Sequence, residues 1–558
     1  MRHFALPLAL STALLVGGCA NTAAAPQSAL TIAPEPTERP QLILAISIDQ
    51  LSSDVFIANR ARFTGGFARL QQGVVFPSGY QSHAATETCP GHSTILTGTR
   101  PARNGIIANN WFEPGIARAD KRVYCSEDSK DPTSTSRDPV VSAQFLKVPT
   151  LGEYMKAAAP GTRNVAVSAK DRAVVMMGGH QIDAGYWYKG GAFITFRGQA
   201  LSPAAQAANA ALAKQIAAGA PALPVPAWCG VKDRAVSVGS GTVGTGKFAL
   251  EPNKPDAFRV SPRMDFATVD LATALVDELK LGQGAVPDVL SVSLSASDYV
   301  GHAYGTEGVE MCIQMAQLDA ALGKLLAHLD ARGIDYLAVL TADHGGLDTP
   351  ERLDEQAFPR ATRSDRALNP GELGKAVAAR TGIKVDGPLV YGDGPFGDMY
   401  FSAAMTPAQR AQASAALVAI VKPHPQVAAV FTRAELEQAP LPSTGPQDWS
   451  IKDRVRASFD PARSGDVIVV LDRAVVPIPD PVLGAYTATH GSVWDYDRRV
   501  PMLFWRKGLR GFEQPAPVET VDIAPTLAAV LGLKLPDGTF DGRCLDLDAG
   551  AGNSCGKD

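Results

Sequence analysis

The sequence has no excess of either charge and no long apolar run in its interior. Of its 558 residues, 52 are Lys or Arg and 56 are Asp or Glu, which gives a net charge of −4. Because nucleic-acid binding needs a basic surface, we expect no specific nucleic-acid partner. Beyond the N-terminal segment, no stretch approaches the ~20 apolar residues of a membrane helix. Hydrophobic residues make up 46% and charged residues 19%, a composition that supports a large core and excludes intrinsic disorder.

The N-terminus has the pattern of an export signal. Arg2 precedes an apolar run over residues 4–16 and small residues follow, so residues 1–25 are predicted to be a signal peptide. The stretch V-G-G-C ending at Cys19 resembles a bacterial lipobox, which predicts a lipid anchor on that cysteine; the alternative is ordinary cleavage at residues 23–25. The Pro- and Ala-rich residues 26–40 are predicted to be a tether. We therefore expect an exported protein that is periplasmic, anchored to the outer membrane or secreted.

Few cysteines are present, and their spacing excludes a Cys-x-x-Cys zinc site. Export permits disulfide bonds, but six cysteines allow 15 pairings, and sequence alone does not choose among them. The short spacing between Cys544 and Cys555 favours one local disulfide. The six cysteines after Cys19 are Cys89, Cys125, Cys229, Cys312, Cys544 and Cys555.

Short apolar runs that alternate with helical patterns indicate an α/β fold. Continuous β-branched runs that end in polar residues are typical of strands buried on both faces. We predict a mostly parallel central sheet with helices on both faces. The predicted strands are 42–48, 164–169, 288–294, 336–341 and 500–505, and the predicted helices are 265–280, 309–329 and 522–533.

One catalytic domain is expected over residues 41–558. Three less regular segments, at about 111–148, 173–263 and 351–461, are rich in Gly, Pro and aromatic residues. We interpret them as insertions that build a cap around one edge of the sheet.

Acidic and imidazole side chains follow several of the predicted strands. Ligands bind at the carboxyl ends of strands in open α/β sheets, so these side chains are expected to meet in one site. Carboxylate and imidazole together suit zinc, and two metals can hold both oxygens of an in-line displacement at phosphorus. The candidate ligands are Asp49, Asp298, His302, Asp343, His344 and His490.

The nucleophile candidate lies in T-E-T-C-P-G-H-S, residues 86–93. Thr88 falls where a helix begins, and Pro90 suits that position. A hydroxyl there is close to the positive end of the helix dipole and to free backbone N–H groups. Cys89 is the rival nucleophile, but the predicted ligand set is oxygen-seeking, which favours Thr88.

These blocks occur in an order that resembles the alkaline phosphatase superfamily. The pattern is T-C-P-G-H, then G-I-I-x-N-x-W, K-D-R, D-x-x-x-H, A-D-H-G and T-H-G. It is most similar to the bacterial phosphate-irrepressible periplasmic alkaline phosphatases that use a Thr nucleophile. The matching blocks span residues 42–533.

The resemblance implies a role for each matching residue. Two zinc ions are implied, one bound by Asp49, Asp343, His344 and Thr88, and the other bound by Asp298, His302 and His490. Thr88 would attack phosphorus and become a phosphothreonine. Asn109, or less favourably its neighbour Asn110, would bind phosphate oxygens together with Lys170 and Arg172.

The implied function is hydrolysis of phosphate monoesters at alkaline pH, for phosphate scavenging from small phosphorylated substrates. Two rivals stay open. One is a phosphodiesterase or nucleotide pyrophosphatase of the same superfamily, and the other is a surface lipoprotein that reuses the fold for binding. Lys170 and Arg172 favour the monoesterase, because a diester lacks the second negative charge that they would meet.

Overall fold

A computed structural model describes residues 39–556. The predicted signal peptide, the lipobox cysteine Cys19 and nearly all of the predicted tether lie outside the described residues. Among residues 39–556, none of the helices combines the length and the hydropathy required to span a lipid bilayer.

The strands of the described chain form one large sheet and several small ones. In chain order they are β1 (Leu42–Ile48), β2 (Val74–Tyr80), β3 (Asn110–Phe112), β4 (Arg122–Tyr124), β5 (Asn164–Ser168), β6 (Ala184–Lys189), β7 (Ala192–Ile194), β8 (Val236–Val238), β9 (Gly241–Val243), β10 (Asp288–Leu294), β11 (Tyr336–Thr341), β12 (Thr362–Arg363), β13 (Val390–Tyr391), β14 (Gly397–Phe401), β15 (Val427–Thr432), β16 (Val467–Leu471), β17 (Val475–Val476), β18 (Arg499–Arg506), β19 (Phe512–Glu513) and β20 (Val518–Glu519).

The α-helices alternate with these strands over most of the described chain. They are α1 (Ser53–Asn59), α2 (Gly66–Leu70), α3 (Thr88–Thr97), α4 (Pro101–Asn104), α5 (Leu151–Ala158), α6 (Asp171–Gly178), α7 (Pro203–Ala218), α8 (Pro255–Arg259), α9 (Arg263–Leu279), α10 (Ala296–Tyr304), α11 (Val309–Ala331), α12 (Pro350–Glu355), α13 (Pro370–Thr381), α14 (Pro407–Val421), α15 (Arg433–Glu437), α16 (Ile451–Ser458), α17 (Asp495–Arg498) and α18 (Ile523–Val530).

The central sheet has ten strands in the order β19-β2-β18-β11-β1-β10-β5-β6-β7, with β20 also paired to β2. The adjacent strands β11, β1, β10, β5 and β6 are parallel, whereas β18 runs antiparallel to both of its neighbours. Every residue of β1, β10 and β11 is buried. The prediction of a mostly parallel α/β sheet is confirmed.

Alternate residues of β1 pack into two different helix layers. Leu42, Leu44 and Ile46 belong to an apolar core that also contains α9 and α11. Ile43 and Ala45 belong to the core on the other face, with α3 and α18. Because successive strand residues point to opposite faces, a continuous apolar run can bury both of them.

Part of the segment that we interpreted as the second insertion belongs to the central sheet. Strands β6 and β7 lie within residues 173–263 and extend the sheet beyond β5. Tyr186, Trp187 and Tyr188 are buried there. The three aromatic residues of β6 are flanked by Gly and polar residues, so the run looked like cap sequence rather than a buried strand.

A second sheet, which we call the cap sheet, is built from strands of the third predicted insertion together with β16, which begins after the predicted end of that insertion at residue 461. Strands β13, β14, β16 and β15 pair antiparallel in that order. Helices α13 and α14 contribute to its separate apolar core, which includes Leu373, Val377, Leu417 and Val469. Phe396, the residue before β14, lines a cavity together with His302 and His490.

All six cysteines of the described chain form disulfide bonds. The predicted pair Cys544–Cys555 is confirmed, with a Cα–Cα distance of 5.8 Å. Cys89 pairs with Cys125, and Cys229 pairs with Cys312. The last two pairs join residues 36 and 83 positions apart, so they depend on the tertiary fold.

Candidate active site

The predicted ligands Asp49, Asp343 and His344 meet at the carboxyl ends of β1 and β11; we call them the Asp49 group. One potential ligand atom from each lies within 4.8 Å of the others. His344 Nε2 is 3.5 Å from Asp49 Oδ1 and 3.3 Å from Asp343 Oδ2. All three side chains are buried.

The predicted ligands Asp298, His302 and His490, which we call the Asp298 group, lie beside the first group. Asp298 and His302 are one turn apart on α10, and His490 comes from the loop before β18. The Asp298 Oδ1 atom is 3.3 Å from the Nε2 atoms of both His302 and His490. His344 of the Asp49 group also lies close to the Asp298 group. Its ring stacks on the His490 ring, with 3.6 Å between the centroids. One potential metal-ligand atom of His344 lies within 4.8 Å of one such atom of Asp298 and one of His490.

The histidines of both groups are held in one tautomer. The Nδ1 atoms of His302, His344 and His490 lie 2.8–2.9 Å from the backbone carbonyls of Ala488, Gly345 and Thr86. A carbonyl only accepts hydrogen bonds, so Nδ1 carries the proton and the Nε2 lone pair faces the carboxylates. Acceptors that face each other in this way suit a cation between them.

Buried oxygen and nitrogen atoms without hydrogen bonds give a second test of a metal fit. Within residues 39–556, Asp49 Oδ1, Asp298 Oδ1, Asp343 Oδ2 and His344 Nε2 are buried and make no hydrogen bond. Leaving such atoms unpaired is costly. The donor set therefore fits divalent cations of the imidazole- and carboxylate-binding type.

Burial favours the neutral form of His344 and His490, and it places carboxylates close together. Burial lowers the pKa of His344 to about 3, against the attraction of Asp343. Burial also lowers the pKa of His490. Burial, and then repulsion from Asp343, raises the pKa of Asp49 well above its usual range. A neutral imidazole is the form that binds metals.

Thr88 is the first residue of α3, and all ten residues of this helix are buried. Gly91 permits the close approach of α3 to the end of β11, because a Cβ atom at this position would lie 2.0 Å from the Asp343 carbonyl oxygen. The T-C-P-G segment thus places the Thr88 hydroxyl beside the Asp49 group, at the positive end of the helix dipole.

Two cationic side chains converge on the Thr88 hydroxyl. Lys170 Nζ and Arg172 Nη2 each lie 3.3 Å from Thr88 Oγ1. Lys170 Nζ also lies 2.6 Å from Asp49 Oδ2 and 2.5 Å from Asp298 Oδ2, so it bridges the two groups. Although burial opposes it, attraction from Asp298 and Asp49 raises the pKa of Lys170, which keeps its charge.

Asn109 is held against the first turn of α3. Its Oδ1 accepts a hydrogen bond of 2.8 Å from the Cys89 N–H, and its own N–H donates to Glu87 Oε2 at 2.6 Å. This leaves the Asn109 side-chain NH₂ as a donor next to Thr88. The half-buried Asn110 side chain instead donates to Asp393 at 3.1 Å. Asn109 rather than Asn110 therefore has a side-chain donor beside the start of α3.

The structure shows the contacts of three residues near Thr88 whose roles the sequence did not fix. Cys89, the rival nucleophile, has no free thiol because it is bonded to Cys125. His92 is buried, with Nδ1 at 2.9 Å from the Thr88 carbonyl and Nε2 at 2.9 Å from Ser293 Oγ. The Tyr124 hydroxyl donates to Asp171 at 2.6 Å, beside Arg172. Proximity of Tyr124 to Cys125 was its only sequence signal.

The sheet, the paired carboxylate–imidazole groups and the threonine together define the alkaline phosphatase-like class of metallohydrolases. The chain belongs to the family described as type I phosphodiesterase/nucleotide pyrophosphatase, which it matches over residues 43–492. The predicted superfamily is thereby confirmed.

Named relatives cover nearly the whole chain. The chain is 50% identical over 518 residues to alkaline phosphatase PhoK of a Sphingomonas species, covering 92% of each protein. It is 48% identical over 523 residues to alkaline phosphatase PhoD of Zymomonas mobilis, covering 92% of this chain and 89% of that protein. Its fold matches a crystal structure of wild-type alkaline phosphatase PafA with a TM-score of 0.78, at 24% identity over 91% of this chain and 98% of that one.

Proposed function

We propose that this chain is an exported alkaline phosphatase that hydrolyses phosphate monoesters and uses two zinc ions. The observation that carries the proposal is the convergence of Lys170 Nζ and Arg172 Nη2 on Thr88 Oγ1, each at 3.3 Å. Two fixed cations at the nucleophile match the two negative charges of a phosphate monoester. The family and the names of the two closely similar relatives, both alkaline phosphatases, support this activity.

The residues that would hold the metals are the Asp49 group, with Thr88, and the Asp298 group. Membership of the family supports a dependence on divalent metals, and the mixture of imidazole and carboxylate donors favours zinc. Two divalent cations, when bound there, would supply Lewis-acid stabilisation of the attacking and leaving oxygens.

Thr88 is proposed to act as the nucleophile. Its Oγ1 forms a bond to phosphorus, the ester P–O bond breaks, and the hydroxyl proton reaches the leaving alkoxide through solvent. A water molecule then attacks the phosphothreonine, the Thr88 Oγ1–P bond breaks, and phosphate is released as Thr88 regains a proton. Lys170, Arg172 and the Asn109 NH₂ hold the non-bridging oxygens in both steps.

A phosphodiesterase is the second candidate, because the matching family carries that name. The same nucleophile and ligand groups would serve a diester. A diester replaces one charged oxygen with an ester oxygen, so it presents one negative charge fewer to the two cations at Thr88. Lys170 keeps its ion pairs with Asp49 and Asp298 in either case, so the loss falls on Arg172, whose Nη2 contacts Thr88 Oγ1.

Export and the domain arrangement belong to the same proposal. Three disulfide bonds support an oxidising compartment. Phosphate scavenging is the role proposed for an exported monoesterase. Residues 41–558 are proposed as one catalytic domain whose inserted segments surround the carboxyl edge of the sheet. A lipid on Cys19 stays a prediction from the sequence.

The deciding experiment compares p-nitrophenyl phosphate with bis(p-nitrophenyl) phosphate at alkaline pH. We expect faster cleavage of the monoester, loss of activity after chelation, and recovery when zinc is added. Faster cleavage of the diester would assign the phosphodiesterase instead. Full activity in excess chelator would contradict the metal assignment.

A further inference from the structure

A cavity of about 580 Å³ opens beside Asn109, Arg172 and the Asp298 group. Its lining combines polar groups already described, among them Arg172, His302 and His490, with the aromatic rings of Phe396 and Tyr486. A cavity lined by both charged and aromatic groups suits a ligand that is itself amphipathic.

The Tyr486 ring is exposed, although the backbone around it is fixed. The side chain is 53% exposed. The backbone of Tyr486 exchanges two hydrogen bonds of 2.7 Å with Val482, and the next residue, Thr487, donates to the His302 carbonyl at 2.7 Å. Within residues 39–556 the Tyr486 hydroxyl has no hydrogen-bond partner. An aromatic ring presented rigidly to solvent at a cavity rim can contact a ligand with little loss of conformational entropy.

The position of Tyr486 places it on the side of the leaving group. Its ring packs on the His302 ring, with 4.9 Å between centroids. His302 approaches Asp298, and Asp298 approaches Lys170, which in turn contacts the Thr88 hydroxyl. In-line displacement puts the leaving oxygen opposite the attacking oxygen. Because Thr88 is assigned to the Asp49 group, the leaving group is expected to face the Asp298 group, whose His302 packs on Tyr486.

The Phe396 ring, from the residue that precedes β14, also lines the cavity. A Cβ atom placed on Gly491 would lie 3.1 Å from Phe396 Cζ, so the ring packs directly against the residue that follows His490. Both aromatic rings thus adjoin histidines of the Asp298 group. Between them, the cavity offers a π surface next to the point where the ester oxygen leaves.

We propose that Tyr486 is a specificity-determining residue that contacts aromatic leaving groups, so that aryl phosphate esters bind better than alkyl esters of similar charge. This inference rests on the proposed monoesterase function and adds the substrate class to it. Stacking on one ring is expected to change the preference about two- to tenfold.

The test measures kcat/KM of the holoenzyme for phenyl phosphate and methyl phosphate. Variants are Tyr486→Phe, which keeps the ring, and Tyr486→Leu, which keeps an apolar side chain of similar size. Because the intrinsic reactivities of the two esters differ, the quantity compared is the phenyl-to-methyl ratio of each variant divided by that of the unmodified protein. Leu483→Ala is the matched control, since Leu483 is exposed on the same loop and is absent from the cavity wall.

A second measurement uses ligand binding and does not depend on catalytic turnover. Isothermal titration measures binding of phenylphosphonate and methylphosphonate to each holoprotein, and metal content is measured in parallel. Tyr486→Leu should lower the phenyl-to-methyl ratio about fivefold in both readouts, while Tyr486→Phe and Leu483→Ala retain it. An unchanged ratio in Tyr486→Leu, or an equal loss for both ligands, would overturn the inference.

The failure of this inference is distinguishable from the failure of the proposed function. If the unmodified protein cleaves neither ester, the monoesterase proposal fails. If it cleaves both and the ratio does not respond to Tyr486, only the leaving-group contact is rejected.

Discussion

Asp348 and Arg352 form a buried ion pair that joins two of the segments bearing candidate metal ligands. Asp348 Oδ1 lies 2.5 Å from Arg352 Nη1 and accepts a hydrogen bond of 2.9 Å from the Thr306 N–H. Arg352 Nη2 donates to the Tyr304 carbonyl at 3.1 Å. The loop that follows β11 and carries His344 is therefore fastened to the end of α10.

Removing one partner of this pair should destabilise the protein strongly. Arg352→Met is expected to lower the free energy of unfolding by about 3–5 kcal/mol, because it leaves a buried carboxylate unpaired. The double variant Asp348→Asn with Arg352→Met should recover part of that loss. Urea unfolding measures the free energy of unfolding of the single and the double variant. Arg366→Met, which breaks an exposed pair with Asp480, serves as the control and should leave the midpoint unchanged. Equal losses in the single and double variants would contradict the role of the unpaired charge.

Thr88→Ala should abolish turnover and keep the metals. The Asp49 and Asp298 groups supply the other donors, so metal content measured by mass spectrometry should be nearly unchanged. Loss of the nucleophile should lower kcat more than about 10³-fold. Thr88→Ser, which restores a hydroxyl, should recover part of the activity. Acid-trapped protein should carry phosphate on Thr88, and retained turnover in the Ala variant would assign the attack to another group.

Lys170 and Arg172 should discriminate between monoesters and diesters. Each makes a charge-assisted contact worth about 1.5–3 kcal/mol, so the double Ala variant should lose monoesterase activity by about 10²-fold or more. Diesterase activity should fall much less, because a diester presents one negative charge fewer. The measurement is kcat/KM on the matched p-nitrophenyl substrates. Equal losses on both substrates would reject this assignment.

Asp265 should make stability depend on pH. Its carboxylate accepts hydrogen bonds from the Ala296 N–H at 3.0 Å and from Gln314 at 2.7 Å, and burial raises its pKa to about 7. A raised folded-state pKa contributes stability below the unfolded value of about 3.9, and that stability is lost as pH rises through about 7.

Asp265→Asn removes this titration while keeping the shape of the side chain. The difference in unfolding free energy between the unmodified protein and the variant should therefore fall between about pH 4 and pH 7, by at most about 4 kcal/mol in total, and level off above that. Comparing the two proteins in the same buffer at each pH cancels the titration of the other groups. A difference that is constant with pH would show that Asp265 keeps an ordinary pKa.

The parts of the fold that the sequence predicted well are those with local signals. The bounds of β1, β10 and β11 were predicted without error, because each apolar run ends close to a charged or polar residue. The cap sheet was not predicted. Its strand β14 pairs with β16 about seventy positions later, and no local pattern specifies such a partner.

Some features of the site were likewise predictable from the sequence and others were not. The structure brings together all the predicted ligands and phosphate contacts, because the carboxyl ends of parallel strands meet at one edge. The stacking of His344 on His490, the tie between Cys89 and Cys125 and the exposed ring of Tyr486 arise from long-range packing. Each joins segments whose separation in sequence carries no information on distance.

The Cys89–Cys125 bond encloses Asn109 in a covalent ring that starts at the residue after Thr88, the proposed nucleophile. Closing a loop of this length removes about 4 kcal/mol of chain entropy from the unfolded state in the usual model of cross-links. Material made in a reducing cytosol lacks that ring, and Asn109, the proposed phosphate contact, is then secured to α3 by hydrogen bonds alone. Preparations from oxidising and reducing hosts are therefore different catalysts, and their rates should not be pooled.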